Sequence, residues 1–453
     1  MAEQLTSWLG ALSSTLTTSV DGVGNSSEID HCILPTTSWP PFELVPGDRL
    51  GQLALGAPAR KVTRWLQTCK MPFQLDVEYM APSVESLDLC LTLRRGDPAS
   101  AFLKLHFGGR QQRLSLIEIV DLGAIELTYA GQSLVSLPVF SDGVTTSTPA
   151  LTMKRLCDVV GGPGVHVGHG GFTHWQQGLA AWASSNAAET SIEQMMIFCP
   201  SSSDPNELIV NRRLPSDVGA GGRPARPALV PDIVVQLGGS RSGALFTVFP
   251  EDVTLKFGMQ VQDVLASIGS PDEEYDGSQG SKHELLAGSQ IYVHNYFCRG
   301  FDIVYLASSH MVSGFVMHTN FAADQDFGVY DRCCFSIRVD TATYDAESVS
   351  EPEPESEPSS LAEAPDGCLH PESSRDEALA LLGPPSPLER ERQNQTPLAL
   401  ATLAANGEED PLGKKDVLWW ATRGLVLECM AGAEDSSPEY RCITTVTLLP
   451  LRK

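Results

Sequence analysis

Residues 261–271 read VQDVLASIGSP, and two apolar stretches follow, QIYVHNYFCRGFDIVYL at 290–306 and SHMVSGFVMHTN at 309–320. Apolar residues recur in the first stretch at spacings of three and four, which predicts an amphipathic helix: Val261, Val264, Leu265 and Ile268. Gly269 supplies the left-handed residue that ends a helix, and Pro271 prevents its continuation. Because one such helix cannot bury its apolar stripe alone, we expect it to lie on a sheet.

A block of this kind, a helix followed by apolar strands, occurs four times. The other copies begin with GAPARKVTRWLQTC (56–69), MKRLCDVVGGP (153–163) and RDEALALLGPP (375–385). The copy at 56–69 lacks the Gly-x-Pro ending and is recognised by the residues before its helix, where LALG (53–56) matches LKFG (255–258). Repeated packing blocks without a repeated catalytic residue are typical of a binding scaffold. The sequence therefore predicts an α+β fold of four tandem units, each a helix, ending in Gly-x-Pro in all but the first, and then an antiparallel β-meander.

Composition sets the predicted domain boundaries. Gly, Pro, Ser and Asp dominate one internal stretch, and alternating Glu, Pro and Ser dominate another, which favours linkers at both places. The predicted segments are a disordered extension (1–41), a first α+β block (42–140), a second block (148–200), a Gly/Pro/Arg-rich linker (201–228), a third block (229–339), an acidic disordered linker (340–371) and a fourth block (372–453).

The charge distribution bears on possible partners. A net charge of −25 over 453 residues argues against general nucleic-acid binding, which needs basic surface to neutralise phosphates. Basic residues are nevertheless concentrated between residues 60 and 113, and either a solvated surface or a phosphate-binding patch accounts for them. Guanidinium and ammonium groups suit phosphate, and three of the candidates fall on the polar side of the first helix. The candidates for phosphate or lipid contact are Arg60, Lys61, Arg64, Arg94 and Arg95.

Cysteine usage and hydropathy indicate the compartment. The eleven cysteines are an odd number, are scattered along the chain and form no CxxC pair, which suits a reducing environment. No apolar run is long enough to cross a bilayer, and the N-terminus lacks the basic start of a secretory signal. We therefore expect a cytosolic protein that associates with membranes peripherally, if at all.

A histidine cluster is the strongest candidate for a metal site. His166, His169 and His174 lie in or near the Gly-rich stretch GGPGVHVGHGGF, and zinc favours His and Cys ligands on converging elements. On a strand, His166 and His169 would point to opposite faces, although a loop would remove that objection. No acidic or Cys ligand set completes the cluster, and no phosphate loop, nucleophile elbow or dinucleotide fingerprint occurs. We therefore expect no catalytic residue, metal or cofactor, with a metal-dependent hydrolase around these histidines as an alternative.

The segment GFVMHTNFAADQDFGVYDRCCFSI is richer in polar and aromatic residues than a core strand requires. His318, Asn320, Tyr330 and Arg332 lie within it. A turn network and a partner-facing surface account for this composition equally well.

At this segment the chain resembles the phagosome assembly factor 1 family, formerly an uncharacterised Lin-10-like family. The family's pattern joins an Asn-Tyr-Phe strand, a Gly-hydrophobic-Asp-Ile strand, a Phe-Val-x-His-Thr-Asn strand and a Tyr-x-Arg-Cys-x-Phe ending. The matching residues are Asn295, Tyr296, Phe297, Gly300, Phe301, Asp302, Ile303, Phe315, Val316, His318, Thr319, Asn320, Tyr330, Arg332, Cys333 and Phe335. The resemblance covers about 42–450, most sharply 252–337, and departs from the family in the N-terminal extension, the acidic linker and the Gly/Arg-rich stretch after residue 200.

The resemblance implies a non-enzymatic cytosolic adaptor in autophagy. Members of the family are regarded as partners of a β-propeller (WD-repeat) protein that gather at the phagophore assembly site, on phosphoinositide-bearing membrane. No catalytic residue, cofactor, nucleic acid or small-molecule substrate carries over from the family. A protein–protein module with no membrane role is a further alternative.

Overall fold

The computed structural model describes residues 41–69, 73–83, 86–95, 100–108, 111–136, 139–141, 144–146, 150–162, 164–167, 172–175, 177–184, 190–199, 232–237, 244–276, 291–322, 324, 326–339, 367–386, 415–420, 422–430 and 443–450. The predicted extension (1–41) except its last residue, the predicted linker at 201–228 and most of the acidic linker (340–371) lie outside these ranges. The chain divides into two compact units, Met1–Pro227 and Ala228–Lys453. The division into seven segments stays a prediction.

Helices are few among the described residues, and they lie where the four blocks predict them. Their bounds are α1 Ala59–Thr68, α2 Met153–Val160, α3 Val261–Ile268 and α4 Arg375–Leu382. The last three end at Gly161, Gly269 and Gly383, each with a positive φ that glycine adopts without steric cost. With the many antiparallel strands around them, these helices confirm the α+β class.

The described strands of the first unit form two main sheets and a hairpin. Their bounds are β1 Phe42–Val45, β2 Arg49–Leu50, β3 Leu53–Ala54, β4 Gln74–Ser83, β5 Ser86–Arg95, β6 Ser100–Gly108, β7 Arg113–Ile119, β8 Leu127–Tyr129, β9 Gln132–Val135, β10 Val139–Ser141, β11 Val144–Thr146, β12 Val165–Val167, β13 Phe172–Trp175, β14 Leu179–Trp182 and β15 Gln194–Phe198. The small sheet has the order β3-β2-β1-β8-β9, the large one β12-β13-β14-β15-β7-β6-β5-β4, and β10 pairs with β11.

The described strands of the second unit form two sheets. Their bounds are β16 Ile233–Leu237, β17 Ala244–Val248, β18 Val253–Leu255, β19 Glu273–Asp276, β20 Ile291–Tyr296, β21 Phe301–Leu306, β22 Met311–His318, β23 Phe335–Val339, β24 Cys368–Leu369, β25 Lys415–Trp420, β26 Leu425–Met430 and β27 Ile443–Leu448. The small sheet has the order β18-β17-β16-β23-β24 and the large one β19-β20-β21-β22-β27-β26-β25.

Among the described strands, the two units share one topology, apart from the β10–β11 hairpin and the edge strand β12 of the first unit. Each starts with a three-stranded meander, continues with a helix and a four-stranded meander, and then returns with a strand parallel to its first strand, β8 on β1 and β23 on β16. A second helix and a second meander follow, and the two meanders join through their last strands, β7 with β15 and β22 with β27. The large sheet of each unit therefore contains the strands of two successive blocks.

Matching irregularities fix the residue correspondence between the units. A β-bulge lies between His106 and Phe107 in the first unit and between Val304 and Tyr305 in the second. In the turn that leads into the next strand, Gln112 has φ 48° and His310 has φ 55°. The carbonyl of each of these turn residues accepts a hydrogen bond from the first residue of a helix. Ala59 N of α1 donates to Gln112 O, and Val261 N of α3 donates to His310 O. The same structural position can thus be compared directly in both units.

One core fills the space between the sheets of the second unit. Helix α3 contributes Val264 and Ile268, and α4 contributes Ala378 and Leu382. Phe246 of the small sheet stacks on a phenylalanine of the large sheet, Phe315, with ring centroids 4.4 Å apart. Burial of a side chain of this size stabilises the fold by roughly 1.5–3 kcal/mol. The helices and the small sheet therefore cover one face of the large sheet.

An aromatic side chain caps the end of three helices. Trp175 Nε1 donates to Gly162 O (3.0 Å), Tyr296 Oη to Gly269 O (3.1 Å) and Trp420 Nε1 to Gly383 O (3.0 Å). Each accepting glycine lies one or two residues past the last helical residue, so the bond fixes the chain where it leaves the helix. This feature, which the sequence pattern did not reveal, recurs in three of the four blocks.

A buried ion pair lies in the large sheet of the first unit. His106 Nε2 and Glu118 Oε2 are 3.0 Å apart, and both side chains are at most 4% exposed. Gln194 Nε2 also donates to Glu118 Oε1. Burial alone lowers the pKa of His106, but Cys90 and the Glu118 carboxylate outweigh burial and raise that pKa from 6.5 to about 9.

The free energy of unfolding of the first unit should fall as pH rises from 6.5 through 9. The folded-state pKa of His106 is raised, so its contribution is complete below the unfolded-state pKa and is lost as pH passes the folded one. A shift of this size corresponds to about 3 kcal/mol. Urea unfolding across this range, read by hydrogen exchange of β6 and β7, measures the loss. The variant His106→Gln should flatten the dependence, and an unchanged slope in that variant would contradict the assignment.

Candidate functional site

A buried polar network lies at one end of the large sheet of the second unit. The register pairs Asn295 of β20 with Asp302 of β21, and Asp302 with Val316 of β22. His318 lies two residues beyond Val316 and therefore on the same face of the sheet. Tyr330 reaches this face from the returning segment, residues 326–334. Three neighbouring strands and one loop thus bring four residues of the family motif together.

Asp302 is the centre of this network. Its Oδ1 accepts a hydrogen bond from Asn295 Nδ2 at 2.9 Å. Its Oδ2 accepts from the hydroxyl of Tyr330 at 2.9 Å and lies 2.9 Å from His318 Nε2. Asn295 Nδ2 also contacts the Tyr330 oxygen at 3.1 Å. Because Asp302 is only 5% exposed, these donors replace the water that a carboxylate requires.

Stacking and charge reinforce the contact between His318 and Tyr330. Their rings are nearly parallel, with centroids 3.7 Å apart and an interplanar angle of 11°. Burial lowers the pKa of His318, but the Asp302 carboxylate outweighs burial and raises it. Burial and the neighbouring Asp302 charge also raise the pKa of Tyr330, so its hydroxyl stays protonated and donates. The result is an imidazole paired with a carboxylate and stacked on an aromatic ring.

The backbone around Gly300 allows the returning segment to approach. Asp331 N donates to Phe297 O at 2.8 Å, and Cys333 N donates to His318 O at 2.9 Å. Gly300 has φ 75°, and a Cβ at this position would lie 2.3 Å from Asp331 O. Only glycine fits this approach, which explains the glycine in the motif.

The remaining motif residues hold neighbouring parts of the same turn. Asn320 has φ 51°, and its Oδ1 accepts from Gly328 N at 2.7 Å. Arg332 is buried, and its Nη2 lies 3.7 Å from Glu372 Oε1, ahead of α4. Of the two interpretations of this segment, the structure supports a turn network. His318, Asp302 and Tyr330 direct their bonds at one another, so the arrangement stabilises the turn.

The histidines of the candidate metal site are only partly described. His169 lies outside the described residues. The register of β12 and β13 pairs His166 with Thr173 and Val165 with His174, so the two histidines occupy positions on opposite faces of the sheet. Nowhere in the described ranges do three His, Cys, Asp or Glu side chains converge as metal ligands would.

The candidate phosphate-binding residues fall into two groups. Arg60, Lys61 and Arg64 lie on α1, which begins at the turn that follows β6. Arg94 and Arg95 end β5 and pair with Ala101 and Ser100, at the start of β6. The start of α1 therefore lies near the end of β6, whereas Arg94 and Arg95 lie near its beginning. Arg94 also binds Asp76 through an ion pair, which gives it a structural role.

The equivalent helices α1 and α3 differ on their exposed side. The two buried residues of α3, Val264 and Ile268, correspond to buried Val62 and Leu66 of α1. The positions of Arg60, Lys61 and Arg64 are occupied in α3 by Gln262, Asp263 and Ala266. An acidic residue suits the first turn of a helix and a basic one does not, because of the helix dipole. The fold therefore does not require the basic residues of α1.

These features define the class of the protein. It is an α+β protein whose topology is repeated in two units and whose motif residues form a polar network by bonding to one another. The family model for phagosome assembly factor 1 matches residues 226–436. A PHAF1 protein of Caenorhabditis elegans is 36% identical over 96 residues, which are 20% of this chain and 23% of the relative. A PHAF1 protein of Arabidopsis thaliana is 33% identical over 91 residues, 18% of this chain and 22% of the relative.

The second unit of this chain thus matches the phagosome assembly factor 1 family, and the resemblance seen in the sequence is confirmed for residues 226–436. The aligned regions span less than a quarter of the length of either relative. No solved structure matches the chain. Within the described part of the chain, no helix has the length and apolar character needed to cross a membrane.

Proposed function

We propose that this protein is a non-enzymatic adaptor in autophagy that binds a β-propeller partner at the phagophore assembly site, near phosphoinositide-bearing membrane. The match to the phagosome assembly factor 1 family, which is not known as an enzyme family, supports an autophagy-related role. The observation that carries the non-enzymatic part of the proposal is the motif network, whose central carboxylate makes its hydrogen bonds within the turn.

The proposal includes a tandem scaffold of four helix-and-meander units. The shared topology of the two compact units supports it, as do the glycine endings of three helices. The aromatic caps on those helix ends support it further. Such a scaffold offers several sheet edges and loops to partners, which suits an adaptor.

Phosphate contact belongs to α1 in this proposal. Lys61 and Arg64 are exposed, Arg60 is half-buried, and no acidic residue lies in the first turn of the helix. A fourth basic residue, exposed Arg113, lies beside the start of α1, because its backbone pairs with that of Pro58, the residue before the helix. Basic residues near an anionic membrane surface contribute about 1 kcal/mol each.

The triple variant Arg60→Gln, Lys61→Asp, Arg64→Ala tests this contact. It gives α1 the side chains that α3 already carries, so we expect it to fold. Binding to vesicles that contain phosphatidylinositol phosphates should weaken at least about tenfold in a sedimentation assay, since several favourable charges are lost. The variant Lys256→Gln, Arg338→Gln removes two exposed charges of the second unit and should bind like the wild type.

Equal binding of the triple variant and the wild type would show that the basic residues are solvated, and it would favour a protein–protein module with no membrane role.

The partner is tested separately. Affinity purification from cytosol, with mass spectrometry of the retained proteins, should recover a β-propeller protein together with autophagy components. Recovery of a metabolic assembly alone would count against the adaptor role.

A further inference from the structure

The two units carry different side chains at three equivalent positions of their large sheets. The shared bulge aligns Phe107 with Tyr305, and the strand register then aligns Leu89 with Tyr292 and Leu91 with His294. The three residues of the first unit are apolar and fully buried. The fold therefore needs no polar atom at these three positions.

The polar atoms that the second unit places there reduce its stability. Tyr305 is fully buried and His294 is 3% exposed. The Tyr305 hydroxyl and His294 Nδ1 have no hydrogen-bond partner among the described residues. Each such group loses its water on folding without gaining a replacement. A cluster that the fold does not need, and that lowers stability, points to a binding role.

The cluster runs from the core to the surface. Tyr292 stacks on Tyr305, with ring centroids 5.1 Å apart and an interplanar angle of 13°. Its hydroxyl shares a hydrogen bond of 3.0 Å with Nδ1 of exposed His310. The next residue, Met311, is 37% exposed, although it is large and apolar. A polar and apolar surface is thus continuous with the buried aromatic rings.

An acidic side chain lies beside this surface. The register pairs Glu274 of β19 with His294 of β20, and the Glu274 side chain is 65% exposed. Burial lowers the pKa of His294, which outweighs the opposing effect of Glu274. His294 is therefore neutral at pH 7 and does not neutralise the Glu274 carboxylate, whose nearest oxygen lies 3.9 Å away.

We propose that Tyr292, His310, Met311 and Glu274 form an aromatic–acidic corner that docks a basic segment of a protein partner. A guanidinium or ammonium group binds a carboxylate and stacks on an aromatic face, and its aliphatic stem packs on an apolar side chain. The corner presents these three features together. Strand β19 is the outer strand among the described strands of its sheet, so an extended segment beside it would place alternate side chains over Glu274.

The choice of a basic partner rests on charge. The chain carries a net charge of −25, and exposed Asp263 adds a carboxylate in the first turn of α3, the helix whose first residue bonds to the His310 carbonyl. Complementary charge attracts a cationic segment and excludes an acidic one. The corner goes beyond the proposed function, because it does not depend on phosphate contact or on a β-propeller partner.

A purified full-length chain and a fluorescein-labelled Ala-Arg-Ala-Arg-Ala-Arg peptide test the docking by fluorescence anisotropy. The same peptide with citrulline in place of arginine keeps the shape and removes the charge. We expect binding of the arginine peptide, with Glu274→Gln and Tyr292→Leu each weakening it about tenfold. Tyr292→Leu introduces the residue that the first unit carries at the equivalent position, so it should fold. Glu193→Gln removes an exposed carboxylate of the first unit and should leave binding unchanged.

Equal binding of the citrulline peptide, or a change below about twofold in both corner variants, would overturn the proposal. Weakening by Glu193→Gln as large as that by Glu274→Gln would show attraction by net charge alone and would also overturn it.

A second measurement does not need a ligand. The variant His294→Leu, Tyr305→Phe should unfold at a higher urea concentration than the wild type, and a lower midpoint would remove the premise that the polar cluster reduces stability.

Discussion

The variant Asp302→Ala should lower the free energy of unfolding of the second unit by about 3–5 kcal/mol, the usual effect of removing one partner of a buried ion pair. The loss is large because one carboxylate serves three donors, from Asn295, His318 and Tyr330. Without Asp302, His318 loses the charge that raises its pKa, and two buried donors lose their acceptor. Hydrogen exchange of β20 to β22 in increasing urea measures this loss.

Two further variants separate charge from hydrogen bonding. Asp302→Asn keeps an acceptor oxygen and removes the charge, so its effect should be smaller than that of Asp302→Ala. Glu273→Ala removes an exposed carboxylate from the neighbouring strand and should change stability by less than about 0.5 kcal/mol. If Asp302→Ala remained within about 1 kcal/mol of the wild type, the network would not hold the turn together.

The sequence predicts local elements of this fold well and long-range pairing poorly. The spacing of Val261, Val264 and Ile268 is sufficient for α3, because helical periodicity depends only on residues close in the chain. Pairing between β7 and β15, which brings Ile117 opposite Ile197, joins two blocks. Periodicity shows which face of a strand is buried but does not show which strand lies beside it.

The candidate sites show the same limit. The motif residues are visible in the sequence because they are dense and polar, whereas the contact between Asp302 and Tyr330 depends on how the returning segment folds. The pair His106–Glu118 carries no sequence signal, because lone strand residues of these types are common. The difference between Tyr305 and Phe107 becomes informative only when the bulge shows that the two positions correspond.

Gly300 provides the second large expected effect. In the first unit Val120 N donates to Phe102 O at 2.9 Å, and in the second His318 N donates to Gly300 O at the same distance. The equivalent residue of the first unit, Phe102, carries a side chain and lacks the positive φ of Gly300, so the left-handed backbone is one reason for glycine. Glycine is required in the second unit for another reason, since the returning segment places Asp331 O and Cys333 N where a Cβ would lie, at 2.3 and 2.6 Å.

We expect Gly300→Ala to lower the free energy of unfolding of the second unit by more than about 3 kcal/mol, because it adds a backbone clash to the strain of a left-handed conformation. The segment must move, which breaks the bond from Asp331 N to Phe297 O and that from Cys333 N to His318 O. Gly258→Ala is the matched control, since Gly258 has φ 80° and no atom within 4 Å of the added Cβ. It should cost only the strain, about 1–2 kcal/mol. Equal losses in the two variants would mean that backbone conformation alone, and not the approach of the returning segment, requires glycine at residue 300.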